Sequence, residues 1–169
     1  MNRKLGLALT LLMALFLTAC ASKPDNVAVV EDPTPTVDPN ADPYGVGYSR
    51  GELEALGIYG NPLDQKVVYF EYNSSALDRK SEVIVSSHAR HLGQKGGANV
   101  NLDGHADERG TRDYNLALGE RRGQTVAQLT SSEGAASQIQ VVSYGEERPV
   151  DSGHNEAAWQ QNRRVEIKY

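Results

Sequence analysis

Residues 102–122 read Leu102-Asp103-Gly104-His105-Ala106-Asp107-Glu108-Arg109-Gly110-Thr111-Arg112-Asp113-Tyr114-Asn115-Leu116-Ala117-Leu118-Gly119-Glu120-Arg121-Arg122. The stretch changes period in its middle. On its N-terminal side, Val100, Leu102 and Gly104 alternate with Asn99, Asn101 and Asp103, the pattern of a strand with one polar face. On its C-terminal side, Leu118, Val126 and Leu129 predict a helix over about 114–130. Between them lies a dense polar loop, Gly104 to Thr111, with a glycine near each end where the backbone can turn or be approached closely.

Outward from this strand–loop–helix, the same reading covers the C-terminal two-thirds of the chain. Val67-Val68-Tyr69-Phe70 is a short apolar strand. Asp78 caps a predicted helix over 79–92 that places Ile84, His88 and Leu92 on one face, and Gly93, Gly96 and Gly97 break it. Ile139–Tyr144 is a third strand, and His154–Gln161 a short helix with Trp159 as a core residue. Val165, Ile167 and Tyr169 alternate with Arg164, Glu166 and Lys168 in a half-exposed last strand, Tyr169 at its edge. The order β-α-β-α-β-(α)-β predicts an α/β (α+β) domain over residues 63–169, a two-layer sandwich with a small mixed sheet.

Within the polar loop, Asp107 follows the strand end. Asn115, Leu118 and Arg122 fall at i, i+3, i+7 and share one helix face. A carboxylate opposite a guanidinium suits a zwitterionic amino acid: Asp107 takes the ammonium, Arg122 the carboxylate, and N–H groups at the helix start share the carboxylate. From spacing alone an ordinary loop–helix salt bridge accounts for the pair as well, and is the commoner arrangement.

The front of the chain is an address. Arg3 and Lys4 precede an apolar run from Leu5 to Leu17, broken only by Gly6 and Thr10. At about 13 residues it fits a signal-peptide core, whereas a spanning helix needs about 20. Leu17-Thr18-Ala19-Cys20 follows, and Cys20 is the chain's one cysteine. It resembles the lipobox of bacterial lipoproteins, which implies removal of residues 1–19 and a diacylglyceryl group on Cys20. Two or more acyl chains make membrane residence stable. Ala21 and Ser22, in place of an acidic residue, imply the outer membrane as destination, with the domain facing the periplasm. Residues 20–62 are expected to be a tether. Pro24, Pro33, Pro35, Pro39 and Pro43 fall in it, with few large apolar side chains, so its ordering entropy is not offset. At its end Ser49-x-x-Glu52 reads as a capping box opening a short helix before Gly57 and Gly60. Roughly 45 residues reach ~140 Å extended, or ~35–40 Å as a coil.

The segment 102–122 resembles the signature of OmpA-like peptidoglycan-binding domains, in the form carried by lipid-anchored members of that family. Val68-Tyr69-Phe70-Glu71-Tyr72-Asn73-Ser74, Ser143-Tyr144-Gly145-Glu146-Glu147-Arg148-Pro149 and Asn162-Arg163-Arg164-Val165 resemble three further family motifs in the same order. The resemblance implies non-covalent binding of the meso-diaminopimelate of peptidoglycan stem peptides, and so a link between outer membrane and cell wall. It implies Asp107 at the ligand's amine and Arg122 at its carboxylate. Asn115, Leu118 and Thr111 would line the pocket, with Glu71, Tyr72 and Asn73 on the opposite wall. Many relatives carry Asp where Glu71 and Asn73 stand. The family's lipid-anchored members act in the Tol-Pal system, in envelope integrity and outer-membrane constriction at division. The periplasmic protein TolB is their partner there, and Glu108 and Arg109 are candidate contacts for it.

Composition excludes other classes. The formal charge of −5 becomes −7 once Arg3 and Lys4 are removed, and no basic run overrides it, so nucleic acid is not the expected partner. No His-Glu-x-x-His motif occurs, and lipidation leaves no thiol nucleophile, so no enzyme is expected. His88, His91, His105 and His154 are scattered; His88 and His91 at i, i+3 could supply two ligands and His105 with Asp107 more, but a histidine near an apolar face is more often simply packed, so no metal and no cofactor beyond the Cys20 lipid is expected.

Overall fold

A computed structural model of the chain describes residues 38–96, 98–134 and 136–169. The signal segment, Cys20 and most of the proline-rich stretch lie outside the described residues. The elements are α1 (Arg50–Ala55), a 3₁₀ turn (Pro62–Asp64), β1 (Val67–Tyr69), α2 (Arg79–Gln94), β2 (Ala98–His105), α3 (Arg112–Ser132), β3 (Ala136–Gly145), α4 (Glu156–Asn162) and β4 (Arg164–Lys168).

The strands form one mixed sheet in the order β1-β4-β2-β3. β2 and β3 run parallel, joined through α3, because a parallel pair needs a long crossover. β4 enters between β1 and β2, antiparallel to both. Helices α2 and α3 cover one face, giving the expected two layers.

Local chemistry sets the boundaries. Asp78 caps α2 through the Ser81 amide (2.7 Å). Thr111 caps α3 through the Tyr114 amide (3.3 Å), so the helix begins at Arg112, two residues before the expected start. Ser49 and Glu52 cap α1 reciprocally. Ile84, His88 and Leu92 of α2 are all buried, as are Leu118 and Val126 of α3, Val100 and Leu102 of β2, and Val165 and Ile167 of β4. His88 is held at both ring nitrogens, by the Tyr169 hydroxyl at 2.8 Å and the Gln65 carbonyl at 2.9 Å.

α3 lies unusually close to the sheet. A Cβ on Gly104 would overlap the Gly119 carbonyl, and one on Gly119 would overlap the Ser143 hydroxyl. Gly104 therefore serves helix packing rather than ligand approach. Gly110, with φ of +115°, does need glycine's freedom for the turn into α3.

Two expectations are corrected. The core reaches further toward the N-terminus than residue 63: Val46, Leu53 and Ile58 are each at most 1% exposed. Tyr44, Tyr48 and Leu56 pack against the core half-buried, and the backbone is clipped as well. Asp42 accepts from the Val46 and Gly47 amides, and the Arg90 guanidinium donates to the Val46 and Gly47 carbonyls at 3.3 and 3.2 Å. Arg164, for which the sequence leaves open packing near the sheet edge or an ion pair, is buried and donates to Glu166 and the Arg148 carbonyl. Trp159 is half-buried against Arg109 rather than in the core, with its indole N–H on Glu108 at 2.9 Å.

Candidate binding site

The end of β2, the first two turns of α3 and the loop after β1 meet at a cleft of about 140 Å³. That is room for one end of an amino acid rather than a sugar chain, since drug-sized ligands occupy ~300–1,000 Å³. One wall is Tyr72 and Asn73; the other is Tyr114, Asn115 and Leu118; Asp107 and Arg109 lie at the base. Asn73 adopts a left-handed backbone, φ +53°, which asparagine tolerates better than most residues. It accepts from the Tyr114 hydroxyl, closing the rim. Asn115 is buried and donates to Glu146.

Asp107 is 4% exposed and fully hydrogen-bonded. Its Oδ1 accepts from the Arg109 amide and Nε, both at 3.1 Å; its Oδ2 accepts from Arg109 Nη2 at 2.7 Å and Arg163 Nη1 at 3.3 Å. Burial pushes the carboxyl up, but the Arg109 side chain, the Arg109 amide and Arg163 together hold it below its usual range.

Arg122 is wholly buried and does not line the cleft. Nε donates to the Ser74 carbonyl (2.8 Å), Nη1 to the His105 carbonyl (2.8 Å) and Nη2 to the Glu71 carbonyl (3.1 Å). Burial brings its pKa down to about 10, Asp107 opposing the shift, so it stays charged at neutral pH. The expected two-jawed clamp of Asp107 and Arg122 is thus arranged differently. Asp107 faces the cleft, and Arg122 lies beneath it, holding the ends of the Glu71–Ser74 loop against the end of β2.

The remaining residues divide. Tyr72, Asn73, Asn115 and Leu118 line the cleft as anticipated. Thr111 acts as the α3 cap and Glu71 through its backbone carbonyl; neither side chain lines the cleft. Glu108 turns to the adjacent surface, where it accepts from His154 and Trp159. Arg109, expected to face a partner, instead lies in the cleft on Asp107. Tyr114 and Arg163 were not singled out. Tyr114 sits one turn before Leu118 on the same face, a signal that was readable; the Arg163–Asp107 pair, 56 residues apart, had none.

Beside the site, His105 is 2% exposed, stacked on Tyr144 at 5.4 Å. Burial, with Arg164 alongside, lowers its pKa from 6.5 to about 4, although Glu166 and Asp103 oppose the shift. A folded-state pKa below the unfolded value means the unfolded chain binds the extra proton first. This contribution is complete above pH 6.5 and is lost as pH falls toward 4. About 2.5 pKa units correspond to roughly 3 kcal/mol. Urea unfolding should therefore weaken by about that much between pH 7 and pH 4. His105→Phe should flatten most of the slope and leave a smaller part to His88, whose pKa burial also lowers. Parallel slopes in the two proteins would show that His105 ionises freely in the fold.

A two-layer domain with a carboxylate-floored cleft where a strand meets a helix start defines the class: the chain belongs to the OmpA family, whose model matches residues 69–163. Within that family it falls with the peptidoglycan-associated lipoproteins. It is 42% identical to the peptidoglycan-associated lipoprotein of Pseudomonas aeruginosa, covering 95% of this chain and 94% of that one. With that of Legionella pneumophila it shares 40%, covering 98% and 94%. The crystal structure of the peptidoglycan-associated lipoprotein from Burkholderia pseudomallei superposes with a TM-score of 0.62 at 38% identity, covering 65% of this chain and 94% of that one.

Proposed function

We propose that the chain is a lipoprotein of the bacterial envelope, anchored in the outer membrane through Cys20, whose periplasmic domain binds peptidoglycan non-covalently at meso-diaminopimelate. One observation carries the reading: a buried, ionised carboxylate, Asp107, at the base of a cleft sized for the end of an amino acid. The diaminopimelate side chain ends in an amine and a carboxylate on one carbon. Asp107 takes the amine. The first turn of α3, with the Arg122 charge beneath it, favours the carboxylate. A Lys-type peptide has the amine alone, so it should bind more weakly by roughly ten- to a hundredfold. The similarity to peptidoglycan-associated lipoproteins supports the same ligand and a place in the Tol-Pal system with TolB as partner.

The test is co-sedimentation of the full chain in detergent with insoluble peptidoglycan of diaminopimelate and Lys types, beside Asp107→Asn. Sedimentation with the diaminopimelate type only, lost in a folded Asp107→Asn protein, is expected. Equal retention of that variant would overturn the reading and leave a lipoprotein that recruits periplasmic proteins without touching the wall.

A further inference from the structure

The carboxylate that must receive the ligand's amine is already full. A carboxylate offers about four lone-pair sites, and Asp107 has four donors on them: the Arg109 amide, Arg109 Nε, Arg109 Nη2 and Arg163 Nη1. An incoming ammonium must therefore displace something. Arg163 is not free to leave. It is 1% exposed, and its other nitrogens donate to the Phe70 carbonyl at 2.9 Å and Glu156 at 2.8 Å. The Arg109 amide is fixed by the turn two residues on. Only the Arg109 guanidinium can go: its side chain is 27% exposed and lies in the cleft itself.

Arg109 also has somewhere to stay when it lets go. Its guanidinium carbon is 4.0 Å from the Tyr72 ring centroid and 4.1 Å from that of Trp159, and Nη1 donates to exposed Glu156 at 3.2 Å. Two aromatic rings and a second carboxylate hold the cation beside the cleft after its bonds to Asp107 break, so the exchange strands no buried charge.

We propose that Arg109 is a built-in competitor: an intrachain cation that occupies Asp107 in the ligand-free protein and is exchanged for the ammonium of the incoming ligand. The proposal rests on the reading of Asp107 as the amine site. It has two consequences. Only a ligand bringing its own cation can open the site, because a neutral or acidic group gives Asp107 no replacement for Arg109. And because Asp107 is paired with one cation before binding and with another after it, binding by the native protein depends less on salt than binding by a variant without Arg109.

The experiment is calorimetric titration of the full chain in detergent with the tripeptide L-Ala-γ-D-Glu-meso-diaminopimelate, at low and high NaCl. The proteins are wild type, Arg109→Ala, Arg109→Gln and Asp107→Asn, with folding checked by thermal melts. Removing the competitor should tighten binding about tenfold, on the scale of the charge-assisted hydrogen bonds no longer displaced. The affinity of both Arg109 variants should also fall more steeply with salt than wild type. Arg109→Gln, which keeps bulk and a donor without charge, carries the test if the alanine variant misfolds. Unchanged or weaker binding by the Arg109 variants, with Asp107→Asn still inactive, would overturn the competitor while leaving the amine site standing. Undiminished binding by Asp107→Asn would overturn the amine site and the competitor with it.

Discussion

Arg122→Ala should cost roughly 3–5 kcal/mol of stability, the scale of removing one member of a buried charged network. The side chain is wholly buried and donates to three backbone carbonyls; those of Ser74 and His105 lose this donor, while that of Glu71 keeps the Ser74 amide at 3.2 Å. Each left without a donor costs about 1–3 kcal/mol unless water enters, and the deleted volume adds a cavity. The phenyl ring of Phe70, 5.2 Å from the guanidinium carbon, loses its packing partner. Because the Glu71–Ser74 loop carries Tyr72 and Asn73, the cleft wall should loosen together with the fold. Hydrogen exchange at residues 71–74 and urea unfolding measure the two effects side by side. Arg122→Met separates them in kind: it restores volume but no donors, so it should recover only the cavity part. An Arg122→Ala protein as stable as wild type would mean that water satisfies the carbonyls left behind and that the guanidinium is no keystone.

This placement shows which parts of the site were legible in the sequence. Asp107, Asn115 and Leu118 could be directed to one site by the strand end and the helix spacing, whereas Tyr72 and Asn73 were assigned by the family resemblance alone. Spacing also put Arg122 on the right helix face, yet spacing states a direction and not a depth. At i+7 from Asn115 it lies two turns along α3, where the helix has closed on the sheet through Gly119 and Gly123. There the guanidinium meets carbonyls instead of solvent. Arg109 was misplaced for a related reason: a charged loop residue beside a glycine reads as solvated, and only the approach of Trp159 and Tyr72 from distant segments turns it inward.

The fold divides along the same line. Each strand and helix from Val67 to Lys168 announces itself by alternation, heptad-like spacing or a cap. In the segment 38–62 only α1 does, through its capping box; the segment's docking does not, because Val46, Leu53 and Ile58 are too far apart to make a period. Its attachment is tertiary. Arg90 reaches from α2 to the Val46 and Gly47 carbonyls and to Glu133, past Gly47, where a Cβ would collide with the guanidinium. A tether composition thus conceals a segment pinned to the ends of α2 and α3. The cleft lies at the other end of α3, a 21-residue helix about 30 Å long. An anchor pulling on the N-terminus and a wall held at the cleft would then load the domain from opposite ends of its longest helix.

Asp107→Asn should abolish binding and also destabilise the fold by roughly 3–5 kcal/mol, because it leaves the buried Arg163 cation without its buried carboxylate. Glu156 still pairs with Arg163, but it is 63% exposed and screened by solvent, so it compensates in part. Loss of binding alone would not separate the ligand contact from unfolding, and a second substitution does. Arg163→Met alone should destabilise on a similar scale, since Asp107 would keep only Arg109. Combined, the two remove a buried pair instead of breaking it, and the double variant should regain much of the lost stability. It should still not bind, because an ammonium needs a carboxylate whatever the stability of the domain. Acid provides an independent reading of the same pair. Asp107 titrates below its usual range in the fold, so the unfolded chain takes up the proton first. The pair's contribution is complete above about pH 4 and falls away as pH drops through the lower folded value. That window lies beneath the one expected for His105, so the two losses separate along a pH series, and the double variant should lack Asp107's share of the lower one, keeping that of Asp42, whose carboxyl is also held low by backbone amides. A double variant no more stable than either single change would mean that Asp107 and Arg163 act independently. Recovered binding in it would mean that charge at position 107 is not what selects the ligand.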